Sequence, residues 1–178
     1  LYDHLRLLQH YSLGNIKELA KKITLDNAML NYLDNTQNNA NNPNENYARE
    51  FLELFTITKG EQIGEGDYST YTEDDVIMAA KVFSGFKTKL DRSIIDPDTG
   101  IPMGRISVNQ HDQSTKTFSH AFNNYQLSGG TDENTIMSEL YEFVDMIFDK
   151  EATARAYVTK LYRFFVKSEW TAEDEANI

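Results

Sequence analysis

The helical spacing of apolar residues is the feature that most constrains how this chain folds. The longest run follows Gly130, where one face of a helix with 3.6 residues per turn collects Ile136, Leu140, Phe143, Val144 and Ile147. Shorter runs with the same spacing begin near residues 1, 16, 26, 43, 72 and 149. We therefore predict a mainly α-helical domain, multi-helical and orthogonal or bundle-like, whose core is formed by segments 47–55, 136–147 and 154–165.

The helical period disappears between residues 86 and 110. The segments FKTKL and RISV are short and alternating, and DPDTG between them is typical of a turn. We predict one small β-hairpin or ribbon here, as the only sheet, packed against the helices because an isolated hairpin is marginally stable in water. Asp96 and Asp98 resemble the start of a calcium loop, but the later ligand positions do not fit, so a plain turn is the better interpretation.

Composition excludes several classes of protein. The 178 residues carry a net charge of −11, which disfavours nucleic acid as a partner. The absence of cysteine excludes disulfides and thiolate sites. No run approaches the roughly 18 apolar residues that a membrane-spanning helix needs. Neither a phosphate-binding loop nor a dinucleotide-binding glycine motif is present, so no organic cofactor is predicted.

The chain begins inside an amphipathic helix, with Leu1, Leu5 and Leu8 on one face. A helix without a capping residue at its start suggests that residues 1–178 are a single domain cut from a longer protein. We therefore expect the face that carries these three leucines to be incompletely covered.

The first candidate site lies on the helix predicted to begin at Pro43. Glu50 and Glu53 fall with Asn46 within an arc of about 60° on a helical wheel. A second arc carries the predicted core residues Tyr47, Phe51, Leu54 and Phe55. The alternative is a solvated face, since Arg49 is spaced four residues from both Glu45 and Glu53, as in an ion-pair ladder.

The second candidate site is His111-Asp112, in a loop after the predicted ribbon, with Lys116 four residues later. A histidine beside a carboxylate is a common metal-ligand or acid–base pair. It is also a common way for a loop to bond to itself, with Asp112 forming an Asx turn. Both interpretations stay open.

Together these residues give one hypothesis. We expect Glu50 and Glu53 to approach His111 and Asp112, as catalytic groups. Glu50, His111 and Asp112 are the candidate ligands of a divalent metal. Asn46, Arg49 and Lys116 are then expected to form a structural polar cluster, and a pairing of Lys116 with the carboxylates would make the whole site structural.

Six segments in fixed order extend over nearly the whole chain: LRLLQHYSLGNIKELA, DNAMLNYLDN, NENYAREFLELFTI, YTEDDVIMAAKVFSGF, NQHDQSTKTF and ATARAYVTKLYRFFV. In this series the chain resembles the bacterial domain of unknown function 1800 family. It departs from the family at Phe86, where tryptophan is usual, and at Ser119-His120, where Leu-Gly is usual. The resemblance implies a longer and exported protein, at the periplasm or cell surface. It also implies a gene often encoded beside a second uncharacterised family that resembles sulfatases.

Two classes of function follow. One is a metal-assisted hydrolase acting on polysaccharide or an esterified substrate through the Glu, His and Asp cluster. The other is a non-catalytic scaffold or binding module, whose partner would be a co-encoded protein or a surface polysaccharide. We favour the second, because no motif in the chain specifies a reaction.

Overall fold

The computed structural model describes residues 1–169, 171, 173 and 174, and these are mainly helical. Their α-helices are α1 (Tyr2–His10), α2 (Ile16–Ile23), α3 (Asn27–Tyr32), α4 (Asn46–Glu50), α5 (Glu73–Val82), α6 (Glu133–Phe148) and α7 (Glu151–Phe165). A π-helical turn, Phe51–Phe55, continues α4, and short 3-10 turns occur at Asn35–Gln37, Val108–Gln110 and His120–Phe122. The prediction of a mainly helical domain is confirmed.

The strands form three separate antiparallel ribbons of two strands each. They are β1 (Gln62–Gly64) with β2 (Asp67–Tyr68), β3 (Phe86–Lys87) with β4 (Arg105–Ile106), and β5 (Lys116–Thr117) with β6 (Gln126–Leu127). The β3–β4 ribbon lies where the sequence predicts it, but the prediction of a single sheet is wrong. All six strands have only two or three residues, and the other two ribbons lack a turn composition as distinct as DPDTG to indicate them.

Helix α4 begins at Asn46, later than the start predicted at Pro43. The Asn38 side chain accepts a hydrogen bond from the backbone N–H of Asn44 (3.0 Å), and the Asn44 side chain accepts one from that of Asn46 (3.0 Å). These asparagine turns hold the chain in a non-helical path, since such side chains compete with the helix for backbone groups. The Pro43 segment therefore precedes the helix and is not its first turn.

The π-helical turn after α4 changes which residues face the core. Tyr47 and Phe51 are buried as predicted, but Leu54 is 59% exposed and Leu52 is buried in its place. A π-turn contains more residues per turn than an α-helix, so the side chains after Glu50 rotate relative to an ideal helical wheel. The arc predicted for Glu50 and Glu53 is therefore not maintained beyond Phe51.

Aromatic rings from α4, α5 and α6 form the centre of the core. The ring centroid of Phe83 lies 5.1 Å from that of Phe51 and 5.4 Å from that of Phe143, and Phe118 stacks on Phe143 at 5.5 Å. These edge-to-face and offset arrangements are the favourable geometries for aromatic rings. The predicted core segments 47–55 and 136–147 thus meet around these rings.

The third predicted core segment, 154–165, is wrong over most of its length. Helix α7 buries Thr153 and Ala156 near its start, whereas Phe164 is 82% and Phe165 74% exposed. Only the first turns of α7 reach the core, where the ring of Tyr157 stacks on Phe148. The amphipathic pattern predicts the helix correctly, but it does not show how much of the helix packs against the core.

The first helix has the exposed face expected from the sequence. The side chains of Leu1, Leu5 and Leu8 are 86%, 56% and 37% exposed. The buried leucine of α1 is Leu7. No helix within residues 1–169 is both long enough and apolar enough to span a bilayer.

Candidate functional site

Arg49 is the centre of a surface ion-pair cluster. Its guanidinium lies 3.2 Å from the Glu45 carboxylate and 3.5 Å from that of Glu53, the ladder suggested by the i, i+4 spacing. It also makes a two-pronged contact with Glu73 of α5, at 2.6 and 3.1 Å. That hydrogen bond lowers the pKa of Glu73 below its ordinary value. Arg49 therefore joins α4 to the start of α5.

The two candidate acids of α4 have different surroundings. Glu53 accepts a 2.6 Å hydrogen bond from the hydroxyl of buried Tyr71, and the ammonium of Lys59 lies 3.6 Å away. Glu50 is half-buried and has no side-chain hydrogen bond or ion pair within the described residues. Asn46 donates from its amide to the carbonyl of Leu33 (3.1 Å), a structural bond between α4 and α3. These acids therefore belong to the α4–α5 surface.

The loop that carries His111 is fixed against the end of α5. The backbone N–H of Ser107 donates to the carbonyl of Gly85 (2.8 Å), and that of Asp112 donates to the hydroxyl of Ser84 (2.8 Å). Gly85 has φ +78°, and a Cβ atom there would lie 2.8 Å from the Ser107 carbonyl oxygen. Only glycine combines this backbone conformation with so close an approach. The Ser-Gly pair thus positions His111.

The His111 ring is buried and bonded at both nitrogens. Nδ1 lies 2.8 Å from the carbonyl oxygen of Ser84, and Nε2 lies 2.9 Å from Oε2 of Glu139. The ring is also stacked on that of Phe86. The acid that meets His111 therefore comes from α6 and not from α4.

Glu139 is held by three donors in the interior. Lys116 Nζ lies 2.7 Å from its Oε1, and the backbone N–H of Gly130 donates to its Oε2 (2.6 Å) in addition to the His111 contact. The side chains of His111, Lys116 and Glu139 have no exposed surface. A Cβ atom at Gly130 would lie 2.4 Å from the backbone nitrogen of Ile136, so only glycine fits there. We call His111, Lys116 and Glu139 the buried triad.

The contacts of the His111 ring fix the nitrogen that faces the backbone. A carbonyl oxygen accepts only, so His111 donates from Nδ1 to Ser84, and its Nε2 faces the carboxyl group of Glu139. The positive charge of Lys116 is partly balanced by Asp112, whose carboxylate lies 3.8 Å from its ammonium.

Asp112 forms the Asx turn that was one of its two interpretations. Its Oδ1 accepts a hydrogen bond from the backbone N–H of Ser114 (2.9 Å) and another from the Ser114 hydroxyl. Burial would raise the pKa of Asp112, but these bonds and the nearby charge of Lys116 outweigh it and lower that pKa. Lys116 also donates to the Asp112 carbonyl, which closes the turn. Asp112 and Lys116 thus belong to one hydrogen-bonded turn beside His111.

Among the described residues, neither Glu50 nor Glu53 has a hydrogen bond or an ion pair with this group. Glu53 bonds to Tyr71 and Arg49, and the carboxylate beside His111 belongs to Glu139. Within residues 1–169 no group of three or more His, Asp or Glu side chains is arranged to hold a metal ion. Catalytic or metal-binding roles for Glu50, Glu53, His111 and Asp112 stay predictions. Glu139 was missed, although an acid three residues after Ile136 on the apolar face of α6 indicates a buried carboxylate.

A cavity of about 310 Å³ lies on another side of the molecule, between α2, the connection from β3 to β4 and the start of α6. At its wall the ammonium of Lys22 lies 2.6 Å from Asp96 and 2.5 Å from Asp98. Asp96 also accepts from the Thr99 hydroxyl (2.6 Å) and backbone N–H (3.1 Å). The two aspartates thus form a turn that binds a lysine of the chain itself.

Comparison with known proteins gives one match. The family model described as "Protein of unknown function (DUF1800)" matches residues 1–177, which is essentially the whole chain. The chain matches no curated protein and no solved structure.

Proposed function

We propose that this chain, which belongs to the DUF1800 family of proteins of unknown function, is a non-catalytic scaffold or binding module. In this proposal the polar residues of the 107–116 loop hold the helices together. A substrate or a partner would then meet the outer surfaces of the domain and not this loop.

The burial of the triad carries the proposal. His111, Lys116 and Glu139 have fully buried side chains, and the oxygens of Glu139 face His111, Lys116 and Gly130. Buried charges require partners of this kind, because an unpaired ion in the interior costs several kcal/mol. His111, the catalytic candidate within the triad, is therefore engaged by the protein itself.

The alternative function, a metal-assisted hydrolase, would need His111 to exchange a bond to the protein for a bond to a metal. Both of its nitrogens are engaged, with Ser84 and with Glu139. The α4 acids are likewise engaged at Glu53, through Tyr71 and Arg49. No observed geometry favours this alternative.

The setting of the module is part of the proposal. The family resemblance supports an exported protein that acts at the periplasm or cell surface. A co-encoded protein or a surface polysaccharide is the proposed partner, and neither nucleic acid nor an organic cofactor is proposed. The net charge of −11 supports the exclusion of nucleic acid.

Metal content and hydrolysis together test this function. The purified protein is analysed for metals by mass spectrometry and assayed with p-nitrophenyl esters and polysaccharides, beside His111→Asn, Glu50→Gln and the exposed control His120→Asn. We expect metal well below one equivalent and background hydrolysis in all four proteins. A near-stoichiometric metal that is lost in His111→Asn or Glu50→Gln but kept in the control would refute the proposal.

A further inference from the structure

The cavity beside α2 has the dimensions and walls of a small-molecule site. Its volume of about 310 Å³ is at the lower end of the range for ligand pockets, roughly 300–1,000 Å³. Apolar side chains form much of the wall, including Leu25, Ile101, Met103 and Met137. Such walls favour the apolar body of a ligand, because they remove it from water.

The cavity is formed before any ligand enters. The backbone N–H of Gly104 donates to the carbonyl of Leu25 (2.7 Å), and that of Met103 donates to the carbonyl of Ile94 (2.9 Å). The contacts of Lys22 with Asp96 and Asp98 close the other side of the same connection. A preformed site does not have to be ordered by its ligand, which favours binding.

Most charged side chains on the wall already have partners. Lys22 is bound by two aspartates, and Lys21 by Asp145 (2.9 Å) and Glu18 (3.2 Å). These groups are neutralised within the protein and have little charge to offer a ligand.

Arg105 is different. It lines the cavity from β4, and no carboxylate lies within ion-pair distance of it in the described part of the chain. Directly across the ribbon it faces Lys87, whose ammonium binds only the carbonyls of Thr36 and Asn38. Burial, and then the charge of Arg105, lower the pKa of Lys87. Like charges directly opposite each other across a ribbon are unfavourable, and an anion bound at Arg105 would reduce that repulsion.

We propose that the cavity binds a small amphiphilic anion, with its apolar body against Leu25, Ile101 and Met137 and its carboxylate on Arg105. A guanidinium binds a carboxylate in a two-pronged arrangement, which fixes the orientation of the ligand. This assignment rests on the proposed function in treating the domain as a binding module. It adds a small-molecule ligand, of a stated chemical class, to the partners proposed above.

Glu133 gives the proposal a sharp electrostatic test. It lines the same cavity at the first turn of α6, and like Arg105 it has no ion-pair partner in the region that the structure describes. Because its charge is negative, removing it should help an anion and harm a cation. Arg105 and Glu133 should therefore have opposite effects on binding.

The experiment is calorimetric titration with three ligands of the same chain length: octanoate, 1-octanol and octylammonium. We expect octanoate to bind most tightly and octylammonium not to bind. Arg105→Gln should weaken octanoate binding roughly fivefold, because the Arg105 side chain is exposed and solvent weakens its bond to a carboxylate. Glu133→Gln should strengthen octanoate binding. The matched control Arg155→Gln, an exposed arginine of α7 that pairs with Glu151, should have no effect.

Met137→Trp is designed to fill the cavity and should abolish binding while the thermal melt stays cooperative. If that variant unfolds, Arg105→Gln carries the test. Equal binding of octanoate and octylammonium, or an unchanged affinity in Arg105→Gln, would overturn the proposal. An absence of octanoate binding would also overturn it, while the metal and hydrolysis results would still decide the proposed function separately.

Discussion

Glu139→Gln is the sharpest test of the buried triad. Glutamine keeps the volume of the side chain but removes the charge that faces the ammonium of Lys116, 2.7 Å away. It also places an amide where His111 and Gly130 both approach an acceptor oxygen. Removal of one partner from a buried ion pair costs about 3–5 kcal/mol. We expect a loss of that size in the free energy of unfolding.

The assay is urea unfolding at neutral pH followed by far-ultraviolet circular dichroism, with the free energy extrapolated to zero denaturant. The matched control is Glu142→Gln, on the exposed side of the same helix, where the carboxylate accepts one hydrogen bond from Tyr125. We expect the control to lose about 1 kcal/mol or less. Equal losses in the two variants would refute the reasoning.

A second substitution separates charge from packing. If the cost in Glu139→Gln comes from an unpaired buried ammonium, adding Lys116→Met removes that ammonium and should recover part of the stability. The double variant should then be more stable than the sum of the two single losses predicts. Strictly additive losses would show that the two side chains act independently.

Three further predictions concern other parts of the fold. Burial would raise the pKa of Asp96, but the hydrogen bond from Lys22 outweighs burial, and the net pKa is lowered. The ionised carboxylate therefore stabilises the fold fully at pH values above the unfolded pKa of about 3.9. This stabilisation is lost as the pH falls through the lower pKa of the folded state. Thermal melts between pH 2 and 7 should show a flatter acid decline for Asp96→Asn. Burial raises the pKa of Tyr157 to about 12, so the stability it contributes is complete below pH 10 and is lost as the pH rises towards 12. Urea unfolding of Tyr157→Phe should therefore lose less stability over that range than the parent protein. In Gly130→Ala the new methyl group would lie 2.4 Å from a backbone nitrogen of α6. We expect urea unfolding to show a loss of about 1–3 kcal/mol in the free energy of unfolding. The control Gly64→Ala should change that free energy much less, because its new methyl group makes an ordinary contact at 3.5 Å.

Local patterns in the sequence predict the local parts of this structure. The capping pair Thr72 and Asp75 marks the start of α5, and the buried stripe of α6 follows its 3.6-residue period. The β3–β4 ribbon also lies where the helical period disappears. In the two helices the pattern depends on residues within one or two turns of each other, so the sequence alone is sufficient there. The ribbon pairs Phe86 with Ile106, and the turn composition between its strands indicates it.

Partners that are distant in the chain cannot be obtained in this way. His111 and Glu139 are 28 residues apart, and spacing gives no reason to pair them before the helices are packed. The asparagine-rich segment has the composition of a loop, yet Asn35 and Asn38 are buried because they donate to the carbonyls of Phe83 and Ala80 at the end of α5. The last carbonyl groups of a helix have no partner within the helix and need donors from elsewhere. The composition of the asparagine-rich segment does not predict that its side chains are those donors.

Two members of the buried triad, His111 and Lys116, can be singled out from the sequence for an identifiable physical reason. A histidine beside an aspartate, followed by a lysine, marks a loop with strong hydrogen-bonding demands, and the structure meets those demands in the interior. Apolar side chains could fill the volume of His111, Lys116 and Glu139, and such replacements are often neutral or stabilising. They would not fix the loop in one orientation, because apolar contacts have no direction. The triad bonds the 107–116 loop to α6 and, through Ser84, to the end of α5. We infer that the triad contributes to the uniqueness of the packing. Substitution of all three residues by apolar ones should therefore keep the helices but broaden the amide resonances of the loop in the nuclear magnetic resonance spectrum.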